Sequence, residues 1–295
     1  LLEDDDRALL ARVTILVVTY ESRHCLEALS PLLSACPQVV LVDNASHDGT
    51  AQQAQTLWPH ARVQVMPRNE GFGAANNAGL RQVSTPLALL LNPDCQLDMT
   101  ALLALIRAAE AFPEAAILAP QLTDRQGRKD QSYRWPRWTW RSRGPIAQGP
   151  ACVGFVCGAA MLWRPEAFAG IGYFDEDFFL YYEDDDLCLR LFHAKRPMMI
   201  IPEATAVHEG RRSVSGHFRM KSEHLRGYWH ARSKLTFLQK HRSVHAACKA
   251  RSRLLLLTTL ALPLRVLLFS PRLIARMVGR WQGLATWTPK EMPHG

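Results

Sequence analysis

The stretch Val39-Val40-Leu41-Val42-Asp43-Asn44-Ala45-Ser46-His47-Asp48-Gly49-Thr50 passes abruptly from apolar residues to turn formers. A short β-branched run closed in this way reads as a strand buried on both faces, with the polar cluster as the loop at its carboxyl end. The arrangement recurs on either side. Val13–Thr19 (VTILVVT) runs into Tyr20-Glu21, Val63–Met66 into a Gly- and Asn-rich turn, and Leu87–Leu91 into Asn92-Pro93-Asp94. Helical patterns fill the intervals at Arg23–Ser34, from Thr50, at Ala74–Gln82 and at Met99–Phe112, and Ala116–Ala119 is again strand-like. Strand alternating with helix predicts an α/β fold with a largely parallel sheet. Ligands of such sheets sit at the carboxyl ends of the strands. The polar residues after Thr19, Val42, Met66 and Leu91 therefore mark out a nucleotide-type crevice. A dehydrogenase is a poor fit, because no GxGxxG follows the first strand and Gly71–Gly79 has the wrong spacing.

The chain has 295 residues, enough for one large domain or a domain with an appendage. Hydrophobic residues at 48% against 21% charged exclude disorder for most of the length. The net charge of +8 hides a split. Residues 1–120 carry 7 Lys/Arg against 13 Asp/Glu, residues 121–210 carry 11 against 12, and residues 211–295 carry 17 against 2. Any anionic partner therefore belongs to the final segment. Seven cysteines, odd in number and without a CxxC, predict reduced buried thiols rather than a disulfide framework. The acidic start Leu1–Asp6 lacks the positive charge of a signal peptide, which predicts a cytoplasmic chain.

Beyond residue 120 the pattern loosens. Residues 121–150 interleave Trp135, Trp138 and Trp140 with Arg134, Arg137, Arg141 and Arg143. This reads as a long loop, either a lid on the acceptor side or a surface loop docked on the body. Residues 155–163 (FVCGAAMLW) read as a strand and Asp184–His193 as a helix. Met198–Ile201 is strand-like and is followed by a turn at Pro202-Glu203.

Three pieces carry chemistry. Asp94, just beyond a buried strand, is placed to hold a divalent cation against a diphosphate, since Mg²⁺ and Mn²⁺ take hard oxygen ligands. Taken alone, Asn92-Pro93-Asp94 is also an ordinary turn. Glu183-Asp184-Asp185-Asp186, beside Phe178, Phe179, Tyr181 and Tyr182, is costly to bury unless paired, solvated or used. A helix N-terminus accounts for one or two of these acids. A partly desolvated carboxylate in an aromatic wall is also how a general base is built. The third piece is His208, which alone would read as structural.

In this order the pieces resemble family 2 glycosyltransferases of the GT-A fold, in particular the rhamnosyltransferase-like branch. The resemblance rests on Val17-Val18-Thr19-Tyr20, on Val42 to Thr50 as a near-complete V-D-N-x-S-x-D-G-T, and on Asn69 to Gly79 as N-x-G-F-x-x-x-N-N-x-G. Leu90-Leu91-Asn92-Pro93-Asp94 is similar to the branch's form of the DxD motif. Gly158 to Met161, Phe174 to Phe179 and the Glu-Asp segment complete the match over roughly residues 13–240.

The resemblance implies roles. Thr19, Tyr20, Glu21 and Asp43 would line the nucleotide pocket, with Asp43 accepting from the pyrimidine N3–H. Asn69, Gly71 and Asn77 would shape the floor under sugar and ribose. Asp94 and His208 would ligate Mg²⁺ or Mn²⁺, with Asn92 in place of an aspartate lowering the charge of the site. Asp184 would be the general base of an inverting transfer, with Glu183 and Asp185 holding the helix N-terminus or touching the acceptor. Glu21 stands where the family usually has Asn, and Asp185 where an apolar residue is common.

Residues 1–12 are expected as an extension, 13–240 as the catalytic domain with nucleotide (13–120) and acceptor (121–240) halves, and 241–295 as a basic, apolar C-terminal extension. Residues 217–240 show helix-like spacing of Leu225, Trp229, Leu235 and Leu238. Leu254–Leu264 is uncharged over 11 residues, short of the ~20 that span a bilayer. Arg251, Arg253, Arg265, Arg272, Arg276 and Arg280 surround it, a pattern suited to the interface of an anionic membrane. Pro263 and Pro271 argue against one straight helix. A helix packed on the protein or on a second subunit is the competing reading. Nucleic acid is not expected, because no recognition motif accompanies the charge.

The resemblance thus implies a dTDP-L-rhamnose-dependent transferase acting on a polysaccharide or lipid-linked glycan, peripheral on the cytoplasmic face of a bacterial inner membrane. Alternatives are a relative using a UDP-sugar and a scaffold that only binds nucleotide-sugar or glycan.

Overall fold

The computed structural model describes residues 3–136, 144–208, 210 and 219–290. The chain forms two compact units, one of Leu1–Phe174 with Leu187–Ser215 and one of Asp175–Asp186 with Gly216–Gly295.

The first unit opens with α1 (Asp4–Leu10), a helix within the expected N-terminal extension that the sequence pattern does not announce. The alternation then follows as β1 (Val13–Thr19), a 3-10 turn (Arg23–Cys25) leading into α2 (Leu26–Leu33), β2 (Val39–Asp43), α3 (Thr50–Leu57), β3 (Arg62–Val65), α4 (Phe72–Leu80) and β4 (Leu87–Leu91). After β4 come β5 (Cys95–Leu97), α5 (Met99–Ala111) and β6 (Ile117–Thr123). The Asp98 carboxylate caps α5 by accepting from the Ala101 N–H at 2.7 Å. Short strands follow as β7 (Lys129–Asp130), β8 (Tyr133–Arg134), β9 (Ala151–Val153), β10 (Phe155–Val156) and β11 (Ala160–Trp163). Then come α6 (Glu183–His193), which begins in the second unit, and β12 (Met198–His208).

The main sheet runs β3-β2-β1-β4-β11-β6-β12-β5, with β7 on β6 and β9 on β12. Strands β1, β2, β3 and β4 pair in parallel, as do β6 and β12. This is the α/β architecture with a mostly parallel sheet that the alternation predicts. It also explains why β1 is apolar throughout. Ile15 and Val17 pack on one face, with α2 and α5, and Leu16 on the other, with α4. All three are fully buried, worth ~1.5–3 kcal/mol each.

Three expectations need correction. Residues 155–163 are not one strand: β10 pairs with β8, and β11 joins the main sheet between β4 and β6. Pro202-Glu203 does not end a strand. β12 continues to His208 with an irregularity between Ile201 and Thr205, so the missing Pro N–H falls where the ladder is already interrupted. The stretch 121–150 contains β7 and β8. Of the three tryptophans on which the loop reading rests, Trp138 and Trp140 lie outside the described residues, and Trp135 packs edge-on against Tyr133 and donates from Nε1 to the Pro145 carbonyl at 2.8 Å.

The second unit is helical, with α7 (Arg219–His241), α8 (Val244–Leu267) and α9 (Pro271–Ala285). Pro263 does not end α8, which continues to Leu267, whereas Pro271 opens α9; the apolar run is therefore one arm of a hairpin whose break lies after Leu267 and not at Pro263. α7 and α9 approach at Gly227, Gly279 and Gly283, where an added Cβ would overlap the backbone of Arg276, His224 and Tyr228 respectively. Among the described residues no helix is long and apolar enough to cross a membrane.

Candidate active site

The carboxyl ends of β1 and β2 are tied into one buried network. Thr19 Oγ1 donates to Asp43 Oδ1 at 2.9 Å, and Ser46 donates to the same oxygen from Oγ at 2.6 Å and to Oδ2 from its N–H at 3.0 Å. Asp43 is 1% exposed, so these donors replace its hydration. Asn44 holds the next turn: its Nδ2 donates to Asn69 Oδ1 at 3.0 Å and to the Gly71 carbonyl at 3.1 Å, and its Oδ1 accepts from the Glu70 N–H at 3.0 Å. Asn69 Oδ1 also accepts from the Gly71 N–H at 3.0 Å. Gly71 has φ +92°, which an L side chain would strain.

Glu21 also has positive φ, +51°, a region where Asn is favoured over Glu. Its carboxylate accepts from the His47 N–H at 2.9 Å, so the Glu closes the rim of this turn. Tyr20 beside it is exposed. Burial alone would raise the Asp48 carboxyl, but hydrogen bonds from the Thr50 hydroxyl and from the Arg23 and Thr50 N–H groups hold it below the usual value. Asp48 thereby anchors the start of α3. Asn77 is a clamp within the first unit: its side chain donates to the Phe174 carbonyl at 2.8 Å and accepts from the Phe174 N–H at 3.1 Å.

Asp94 lies in the tight turn between β4 and β5, and its side chain is 4% exposed. β5 pairs antiparallel with β12 in a register that sets Cys95 opposite His208. That register brings His208 Nε2 to 3.7 Å from Asp94 Oδ1. Among the described residues no group of three or more His, Cys, Asp or Glu side chains is arranged to hold a metal ion. The carboxylate suits Mg²⁺ or Mn²⁺, where substrate phosphates and water can complete the shell, whereas the imidazole is a softer nitrogen ligand than Mg²⁺ ordinarily takes. Asn92 is half-buried and donates its N–H to the Ala159 carbonyl at 2.9 Å. No disulfide joins the seven cysteines; Cys25, Cys36, Cys95 and Cys188 are buried as expected, but Cys152 is exposed and Cys157 and Cys248 are half-buried, which corrects the expectation of uniformly buried thiols. Burial pushes the Cys36 thiol up to about 12, as for an inert packing group.

The second unit carries the acidic turn. Segment Asp175–Asp186 is fastened to α7: Lys240 Nζ lies 2.5 Å from Asp175 and 2.7 Å from Asp177, and His241 Nε2 lies 2.7 Å from Asp186. Ser233 Oγ donates to the Leu180 carbonyl at 2.8 Å, and Phe179 stacks on Trp229 at 4.1 Å. Tyr181 and Tyr182 both have φ +68°, a strained conformation that presents the first turn of α6. There the four carboxylates separate. Asp186 is buried against His241, and Glu183 is buried with Oε2 lacking a hydrogen-bond partner among the described residues. Burial, then the charges of Asp184 and Asp185, push the Glu183 carboxyl well above its usual range. Asp184 and Asp185 are only half-buried, and the Asp185 N–H donates to Asp184 Oδ1 at 2.9 Å.

Residues 14–168 match the family model described as glycosyl transferase family 2. The chain belongs to that family. The transferase is 29% identical over 264 residues to an N-acetylglucosaminyl-diphospho-decaprenol L-rhamnosyltransferase of Mycobacterium tuberculosis, covering 78% of this chain and 84% of that protein. It is 26% identical over 197 residues to a low-salt glycan biosynthesis hexosyltransferase of Haloferax volcanii, covering 62% of each chain. Among solved structures it resembles a mannosyltransferase from Pyrobaculum calidifontis in complex with GDP-Man and Mn²⁺, with TM-score 0.52, 15% identity, and coverage of 93% of this chain and 86% of that one. It also resembles GalNAc-T7 crystallised with UDP, GalNAc and Mn²⁺, with TM-score 0.51, 12% identity and coverage of 76% of this chain. The transferase spans 50% of the GalNAc-T7 chain. These likenesses bear out the GT-A fold.

In the first unit of the transferase, hydrogen bonds join Thr19 to Asp43 and Asn69 to Gly71, while the β5–β12 register brings Asp94 beside His208. The second unit carries Glu183, Asp184 and Asp185. Two residues not singled out from sequence, Asn44 and Ser46, make the side-chain bonds that join the loops. They lie in the quoted loop motif, and a polar residue next to a strand-ending aspartate was the available signal.

Proposed function

We propose that the transferase moves L-rhamnose from dTDP-L-rhamnose onto a lipid-linked glycan, with inversion at the anomeric carbon, on the cytoplasmic face of a bacterial inner membrane. The observation that carries this reading is the alignment with the mycobacterial rhamnosyltransferase over most of both chains, whose name specifies a polyprenyl-diphosphate acceptor. The hexosyltransferase relative from Haloferax supports a second reading, another hexose donor on the same scaffold.

In this mechanism Thr19, Tyr20, Glu21, Asp43, Asn69, Gly71 and Asn92 position the nucleotide-sugar, while Asn77 supports the first unit by holding the Phe174 backbone. Asp94 and His208 would hold a divalent metal, Mg²⁺ or Mn²⁺, and such an ion would supply positive charge against a diphosphate. Asp184, more accessible than Glu183, takes the proton of the acceptor hydroxyl. The acceptor oxygen forms its bond to the anomeric carbon as the bond to the diphosphate oxygen breaks, and the nucleoside diphosphate leaves. Glu183 stays protonated more readily than an ordinary carboxyl and braces the turn.

The test is a transfer assay with a polyprenyl-diphospho-GlcNAc acceptor and dTDP-L-rhamnose, UDP-glucose, UDP-GlcNAc or GDP-mannose as donor. Product from dTDP-L-rhamnose alone is the expected result. Turnover only with a UDP- or GDP-sugar transfers the mechanism to that donor and rejects rhamnose.

A further inference from the structure

Among the described residues of the second unit, the turn joining α8 and α9 is the most exposed apolar feature. Phe269 is 90% exposed and Leu267 73%, with Leu264, Val266 and Leu268 each more than half exposed. The outward side of α8 continues the patch through Leu256, Leu257 and Leu260. Phe269 also has φ +44°, so a bulky aromatic is held in a left-handed conformation at the point of greatest exposure. In water that residue is unfavourable both for its backbone and for its ring.

What surrounds the patch identifies its occupant. Arg253, Arg265 and Arg272 are exposed around it, and no acidic residue occurs from Val244 to Lys290. Trp281 is 44% exposed and donates from Nε1 to Thr259 Oγ1 at 3.1 Å, which places an amphipathic ring on the flank of the hairpin. From Thr259 to Leu267 the helix rises roughly 12 Å at ~1.5 Å per residue. That is the scale of insertion into a headgroup and acyl boundary, with Trp at the headgroup level and arginines reaching back to phosphates. A second copy is a poor partner, because two such faces would oppose arginine to arginine with no carboxylate between them.

We propose that the α8–α9 hairpin is an insertion device for one leaflet of an anionic bilayer, with Leu264 and Val266–Phe269 entering the acyl boundary and Arg253, Arg265 and Arg272 engaging lipid phosphates. This deepens the membrane placement proposed above, and it stands on the surface itself, independent of donor and acceptor. Its test therefore reads lipid binding, while transfer to a soluble acceptor analogue reads the catalytic proposal separately.

The test is co-sedimentation of the full chain with vesicles of phosphatidylcholine alone or mixed equally with phosphatidylglycerol. Wild type should bind the mixed vesicles on the order of tenfold better than phosphatidylcholine alone. The pair Leu268→Asp and Phe269→Asp should lose binding to both while keeping the wild-type circular dichroism and Tm. Arg265→Gln with Arg272→Gln should lose the preference for phosphatidylglycerol and become less salt-sensitive. The proposal is overturned if wild type stays in the supernatant with mixed vesicles at low salt, or if the Asp variants bind as wild type does. A stable dimer in light scattering that Phe269→Asp dissolves would likewise reject it, assigning the face to a second copy.

Discussion

His208 Nε2 lies 3.7 Å from Asp94 Oδ1, although the two residues stand at the ends of different strands. The proximity follows from one antiparallel register, Cys95 opposite His208. If the pair holds a cation, Asp94→Asn and His208→Ala should each abolish the metal-dependent part of the thermal stabilisation by dTDP. Asp94→Asn should also lower kcat/KM on the order of 10²-fold or more. An unchanged metal-dependent shift in Asp94→Asn would remove the pair from the metal site.

Asp184→Asn should reduce transfer ~10²–10⁴-fold and leave donor-induced stabilisation intact. Asp185→Asn, beside it in the same half-buried turn, should cost far less. The reverse order of losses, measured in one assay, would make Asp185 the base.

Glu183 provides a pH signature. Its carboxyl is raised by burial and by the charges of Asp184 and Asp185. The folded state therefore holds this proton more tightly than the unfolded chain, where a Glu titrates near ~4.3. Stability from Glu183 is complete below that value and is lost as pH rises through the folded pKa. Glu183→Gln should unfold at a higher temperature than wild type at neutral pH, with a margin that shrinks towards pH 4. A margin independent of pH would show that the carboxyl does not titrate in a buried state.

Asn77 is expected to act first on stability. Its side chain satisfies both backbone groups of Phe174, and Asn77→Ala strands two buried groups at ~1–3 kcal/mol each. Thermal unfolding should show a drop of several degrees. A higher KM for donor with unchanged Tm would instead make Asn77 a substrate contact.

The helical unit depends on close backbone approach. Gly279→Ala would drive a Cβ into the His224 carbonyl, at a cost of ~1–3 kcal/mol or more. Gly149, with open space around it, is the control. Equal Tm values for Gly149→Ala and Gly279→Ala would refute this packing.

Much of the first unit was legible without coordinates. In β1, β2 and β4 the continuous apolar runs announce strands covered on both faces, and the turn formers after them announce loops, because both signals are local. The candidate residues in those loops could be named for the same reason. Pro202 misled for the same reason too, since a proline signals a break that pairing with β6 on one side and β5 on the other overrides.

What sequence alone determined is the order of strands and helices, the polar loops at the strand ends, and the basic character of the C-terminal segment. Tertiary structure decided which of those loops meet. Asp94 and His208 are neighbours only through a strand register, and Asn44 joins two loops through its three side-chain hydrogen bonds. It also decided that the apolar C-terminal run becomes a hairpin presenting Phe269 to solvent. Local preferences act over a few residues, whereas pairing and packing join residues over a hundred positions apart, and only the folded chain settles which of those contacts form.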